Sequence, residues 1–183
     1  MITKDEFVNW AFSNVLDNSL RGIVGEYIVH KAVGGVNKHR INWDACDVVM
    51  EDGTKIEVKV SGFLQSWSQK KHSTLVFDIS KKDPWLAYEN RYLGEKCRYA
   101  DVWVFAVHTE TTRDKADPFN LGQWQFIVAT SSWLDLEFKD QKTVRYKMLL
   151  NKGLYPVSCS DLYKTIQCVK QACGSSEHAT ARG

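Results

Sequence analysis

The run Asp101 to Val107 (DVWVFAV) is apolar at nearly every position, and no other feature limits the fold as much. A strand with one face in water alternates apolar and polar residues, whereas one that is apolar throughout is covered on both faces. The chain must therefore place layers above and below a central sheet. Helical segments are available for that purpose. Thr3-Lys4-Asp5-Glu6 forms a capping box, and Phe7, Val8, Trp10, Ala11, Val15 and Leu16 follow at helical spacing. A second helix is expected from Leu20 to Val33, with Leu20, Ile23, Val24, Tyr27 and Ile28 on one face and Gly34-Gly35 as its stop. Gly22, Gly25, Glu26 and Val29 form a further stripe along it. A glycine inside a helix costs about 1 kcal/mol relative to alanine, so this stripe marks a surface that something approaches closely.

Beyond Gly35 the apolar period shifts to two. Strands are expected at Val36 to Ile41, Cys46 to Met50, Lys55 to Ser61, Ser73 to Ile79 and Gln123 to Ala129, with an edge strand at Thr143 to Leu149. Phe63 to Gln69 reads as a short helix or turn, and the polar stretch Thr109 to Asn120 as a loop. Asp83-Pro84 has the cap-then-proline order that opens a helix, predicted over Trp85 to Leu93. Thr130-Ser131-Ser132 can cap a short helix through Phe138, and Ser160 to Cys173 predicts a last one with Leu162, Ile166 and Val169 inward. The expected fold is α/β: a mixed β-sheet flanked by α-helices, in a single domain over residues 1–173. Residues 174–183 have almost nothing to bury and are expected to be a disordered tail.

At 183 residues the chain can bury one full core. Its five cysteines include no C-x-x-C pair, which predicts reduced structural thiols. A net charge of +2 permits a nucleic-acid partner without predicting one. No run approaches the roughly 18 uncharged apolar residues that cross a bilayer, and the start lacks the basic-then-apolar order of a secretion signal. A cytoplasmic protein without a membrane partner is expected.

The segment Asp47 to Lys59 (DVVMEDGTKIEVK) carries the chemistry. It reads as two strands joined at Glu51-Asp52-Gly53, and the loop length decides where the acids go. A three-residue loop with Gly53 left-handed pairs Met50 with Thr54, Val48 with Ile56 and Asp47 with Glu57. A two-residue loop would send the carboxylates to opposite faces. The apolar residues select the first register, because Val48, Met50, Ile56 and Val58 then share one side and Asp47, Glu57 and Lys59 the other. Facing carboxylates repel unless a cation lies between them, and hard oxygen donors suit Mg²⁺ or Mn²⁺. A neighbouring lysine can hold a water and stabilise charge developing on a phosphate.

Asp47, the nine-residue gap, Glu57-Val58-Lys59 and Glu26 on a preceding helix together resemble the PD-(D/E)XK nuclease superfamily, over roughly residues 19–80. The residue before Asp47 is Cys46 where the superfamily pattern has proline. The resemblance implies a restriction-endonuclease-like fold and a divalent-metal-dependent endonuclease that hydrolyses DNA phosphodiester bonds. It implies that Asp47, Glu57 and the Val58 carbonyl bind Mg²⁺ or Mn²⁺, that Lys59 positions the attacking water, and that Glu26 supports the metal site. It also implies a homodimer on duplex or branched DNA, since one site cuts one strand.

Gln65 lies where some members place a glutamine near the site, although the tyrosine that completes that submotif is missing. With Lys70 and Lys71 it makes up the expected nucleic-acid-binding set. A restriction or defence role is preferred, because Gln65, Trp67 and the region after Ile79 leave room for base readout. The alternatives are an inactive nucleic-acid-binding or assembly protein on the same fold, a Holliday-junction resolvase and an RNA-directed nuclease. An E-x-K pair on a strand is by itself usually a solvated ion pair, and most tryptophans serve as core.

Overall fold

A computed structural model of the chain describes residues 1–180, and side chains as far as residue 172. Its centre is a mixed four-stranded sheet in the order β1 (Val48–Val49), β2 (Lys55–Gly62), β6 (Val102–His108), β7 (Trp124–Thr130). β2 and β6 run parallel, and the two outer pairings are antiparallel. Two small ribbons stand apart from the sheet. One pairs β3 (Val76–Asp78) with β8 (Thr143–Arg145), and the other pairs β4 (Trp85–Leu86) with β5 (Arg91–Tyr92). The α-helices are α1 (Lys4–Ala11), α2 (Asn18–Val33), α3 (Ser131–Phe138), α4 (Tyr146–Asn151) and α5 (Leu162–Thr180). Among the described residues no helix is long and apolar enough to cross a membrane.

Every residue of β6 is buried, as its composition requires. Its alternate side chains feed two separate cores. Val102, Val104 and Ala106 join Ile28, Val29, Ile56, Val58, Leu162 and Ile166 on the side of α2 and α5. Trp103, Phe105 and Val107 join Phe77, Ile127, Leu134 and Leu149 on the side of α3 and α4. Fully burying one such side chain stabilises by about 1.5–3 kcal/mol, so the doubly covered strand anchors the whole sheet.

The helix caps form as expected. Thr3 Oγ1 accepts from the Glu6 amide at 3.2 Å, while Glu6 Oε2 accepts from the Thr3 amide at 2.9 Å. Gly34 ends α2 with φ 64°. Yet α1 stops at Ala11 and buries no residue, so Phe7 and Trp10 stay exposed. On α2 the face toward the sheet is Arg21, Gly25, Ile28, Val29 and Val33, while Ile23 and Tyr27 are exposed. The small residue sets this orientation. A Cβ on Gly25 would stand 2.5 Å from Val60 Cγ2 of β2, whereas one on Gly22 would meet nothing within 4 Å.

Several local expectations are corrected. Val36 to Ile41 forms no strand: Asn37 lies beside β1 and uses its side chain, accepting from the Val49 amide at 3.3 Å and donating to the Asp47 carbonyl at 3.2 Å. Trp85 to Leu93 is the β4–β5 ribbon instead of a helix. The Asp83 carboxylate caps the far side of that ribbon, accepting from the Gly94 amide at 2.9 Å, and Asn90 reverses the chain at φ 52°. Phe63 to Gln69 makes bends without a helix, β1 and β3 are shorter than expected, and the Thr143 to Leu149 segment turns into α4 after Arg145. The last helix runs on to Thr180, through part of the expected tail, and residues 181–183 lie outside the described residues.

Candidate active site

The hairpin adopts the register that its apolar residues select from Val48 to Ile56, and the expected Asp47–Glu57 pair is not part of its ladder. Val48 pairs with Ile56 and Val49 with Lys55. The Met50 amide donates to the Thr54 carbonyl at 2.9 Å, the Gly53 amide donates to the Met50 carbonyl at 3.0 Å, and Gly53 takes φ 82°. Val48, Met50, Ile56 and Val58 share one core. From behind, Lys170 of α5 donates to Asp52 Oδ2 at 2.5 Å and so tethers the turn. That contact, with hydrogen bonds from Thr54, holds the Asp52 carboxyl below the usual carboxylate range.

Asp47 sits where this ladder ends. Its amide donates to the Ile56 carbonyl at 3.0 Å, and its Oδ2 accepts from the Val58 amide at 2.7 Å. Lys55 exchanges hydrogen bonds with Asp101 on the β6 side, so alternation along β2 turns the Val58 peptide the other way. The Val58 carbonyl therefore shares an edge with the Asp47 carboxylate, just before the first residue of β1. Glu57 and Lys59 project from the opposite face to Val58 and form a direct ion pair, each side chain about one-fifth exposed.

Three acids crowd this corner. Burial first, then the charges of Glu57 and Glu26, push the Asp47 carboxyl up to about 7 despite the Val58 amide and Lys59. Burial acts most strongly on Lys59, toward loss of its proton. The combined fields of Glu57, Asp47 and Asp78 outweigh it and leave the ammonium harder to deprotonate than usual. Lys59 Nζ also lies 5.6 Å from the centroid of the Trp103 ring. Glu26 is held by a residue that the sequence pattern did not single out. Arg40 Nε donates to Glu26 Oε2 at 2.5 Å and Nη2 to Oε1 at 3.1 Å.

Glu57 and Lys59 line a cleft of about 460 Å³ walled by Trp43, Asp78, Trp85, Tyr92 and Trp103. Asp47 borders a second cleft, of about 200 Å³, with Glu26, Arg40 and His30, and does not line the first. Among the described residues no three His, Cys, Asp or Glu side chains converge into a metal cage. The hard oxygens near Asp47 are its own carboxylate, the Val58 carbonyl and the Glu57 carboxylate, the last already paired with Lys59, and a cation would relieve the charge crowding at Asp47. Mg²⁺ keeps several waters and binds through one or two carboxylates, so this donor set fits it.

The expected nucleic-acid-binding residues are placed differently from one another. Gln65 is buried, its Nε2 donating to Ser73 Oγ at 2.9 Å and its amide donating to Gln69 Oε1 at 2.7 Å. Arg21 donates to the neighbouring Leu64 carbonyl at 2.5 Å, and Arg113 to the Gln65 carbonyl at 2.9 Å. Gln65 therefore braces the chain that leaves β2, and its side chain is turned away from solvent. Lys70 and Lys71 are exposed on that same segment. Sequence reasoning missed Arg40, Asp78 and the aromatic cleft, whose residues lie far apart along irregular chain and share no spacing. No protein-family model matches the sequence, and no curated protein matches it.

Proposed function

We propose that this chain is a divalent-metal-dependent nuclease of the PD-(D/E)XK kind, hydrolysing phosphodiester bonds in DNA. The observation that supports the reading is the Asp47 carboxylate on the Val58 amide, beside the Glu57–Lys59 ion pair carried by the residues on either side of Val58. Asp47, Glu57 and the Val58 carbonyl would hold Mg²⁺ or Mn²⁺. Once bound, that ion supplies Lewis-acid polarisation of the phosphate and a more acidic water. Lys59, kept protonated by its acidic neighbours, orients the attacking water and offsets charge on the phosphate oxygens. Glu26 and Arg40 position Asp47 from the α2 side, and Lys70 and Lys71 supply phosphate contacts. A cytoplasmic homodimer with a restriction or defence role completes the proposal.

A second reading, an inactive nucleic-acid-binding or assembly protein on the same scaffold, draws on the ion pairs that already engage Glu57 and Glu26. Nicking of plasmid, branched DNA and RNA in Mg²⁺ or Mn²⁺ separates the two. Wild-type protein is expected to nick DNA, with Lys59→Ala and Glu57→Gln slower by about 100-fold or more. No metal-dependent cleavage of any substrate would return the chain to the binding reading, and preference for branched DNA or RNA would redirect the substrate.

A further inference from the structure

We infer that the cleft beside Glu57 and Lys59 is a nucleobase pocket, so that cleavage occurs next to an unpaired nucleotide. This deepens the proposed nuclease reading and rests on it. Five aromatic residues line it: Trp43, Trp85, Tyr92, Tyr99 and Trp103. Trp103 forms the floor, 4 % exposed, with its Nε1 donating to Ser131 Oγ at 2.9 Å. Trp85 and Tyr92 brace one another on the β4–β5 ribbon, their ring centroids 5.1 Å apart and inclined at 66°. Trp43 stands at the rim, 89 % exposed and at φ 69°, a conformation that a bulky side chain rarely adopts. No core packing accounts for an indole held there.

The charges of the cleft argue for a neutral, planar occupant. Away from Glu57 and Lys59 its cations are already engaged: Lys82 with Asp78 at 2.8 Å, and Arg98 with Asp135 and the Ile79 carbonyl. Asp44 and Asp83 add further acceptor oxygens. A phosphate would be repelled from the far end, while a base brings N–H donors on the edge that pairing hides. The volume of about 460 Å³ falls within the range of small-ligand pockets, about 300–1,000 Å³. A base stacked in a duplex offers only its edges, and its faces become available to aromatic walls once it is extruded or unpaired.

The test uses the full chain with Mn²⁺ and four oligonucleotides: a paired duplex, the same duplex with a single-nucleotide bulge, a single strand, and that strand with an abasic position walked along it. The bulged and single-stranded forms should be cut about tenfold or more faster than the duplex, and an abasic position beside the cut should abolish the advantage. Trp43→Ala should slow the base-bearing substrates about tenfold more than the abasic one, with Trp43→Phe restoring the difference. In EDTA, 2-aminopurine at the unpaired position should be quenched by wild type and less so by Trp43→Ala. Cleavage indifferent to base and pairing would overturn the pocket while leaving the nuclease standing. A Trp43→Ala variant that slowed all substrates alike would overturn it too. Absence of nicking from every substrate would overturn the active-site reading, and the pocket with it.

Discussion

Replacing Asp47 with asparagine should make the metal-free protein more stable at neutral pH while removing its response to metal. Burial and the fields of Glu57 and Glu26 raise the Asp47 carboxyl from 3.8 to about 7, so the folded state holds a proton that the unfolded chain releases. Stability from this group is complete below about pH 4 and lost as pH rises toward 7. Linkage converts the difference to about 4 kcal/mol above pH 7. Asparagine keeps an oxygen for the Val58 amide, 2.7 Å away in the wild type, and carries no charge. Asp47→Asn should therefore recover up to about 4 kcal/mol at pH 8 in EDTA, a rise of about 2–4 °C in Tm per kcal/mol for a chain of this length. The gain should fade by pH 4. Thermal melts from pH 4 to 8, with EDTA and with Mn²⁺, measure it. Mn²⁺ should raise the Tm of wild type and leave that of the variant unmoved. A variant less stable than wild type at pH 8 in EDTA, or a difference independent of pH, would refute the crowding of acids on which the site rests.

Other perturbations reach the scaffold around the site. Gly25→Ala should destabilise by about 1–2 kcal/mol, because the overlap with Val60 outweighs the gain in helix propensity. Gly22→Ala, with nothing within 4 Å, should stabilise by about 0.5–1 kcal/mol, and urea melts that ranked the pair the other way would contradict the packing of α2. Arg98→Ala should cost about 2–4 kcal/mol, since the Ile79 carbonyl and Asp135 lose a partner whose side chain is fully buried; a loss under 1 kcal/mol would show that water replaces it. Burial pushes the Cys46 thiol up to about 12, so iodoacetamide at pH 8 should alkylate exposed Cys168 and leave Cys46 unmodified by mass spectrometry, an order that its early modification would reverse.

Local chemistry was legible where a single face or turn decides the outcome. The unbroken apolarity of β6 demanded two covering layers, and two cores meet on it. The hairpin register followed from four apolar residues and one glycine, which share a face in only one of the two loop lengths considered. Glu57 and Lys59 came with that register. Asp47 did not quite: its carboxylate turns along the sheet edge to the Val58 amide, and pairing rules do not describe a side chain that takes the place of a backbone acceptor. The close approach expected along the glycine stripe of α2 occurs at Gly25, where a hydrogen brings the helix closer to Val60 than any methyl could, and not at Gly22. Asp83-Pro84 opens a ribbon because its carboxylate finds Gly94 rather than the next turn of a helix. Arg40 reaches Glu26 from irregular chain, where no period points to a partner.

The strands that carry the reactive groups and the chain that shapes the cleft are separable pieces of this molecule. β2 and β6 run side by side, and the Trp85–Tyr92 part of the aromatic wall comes from the excursion between them, residues 63–101. Within that excursion Phe77 of β3 belongs to the core, but the β4–β5 ribbon is not hydrogen-bonded into the four-stranded sheet and can vary without disturbing that ladder. Variation confined to that ribbon would reshape the cleft while leaving Glu57 and Lys59 on their strand.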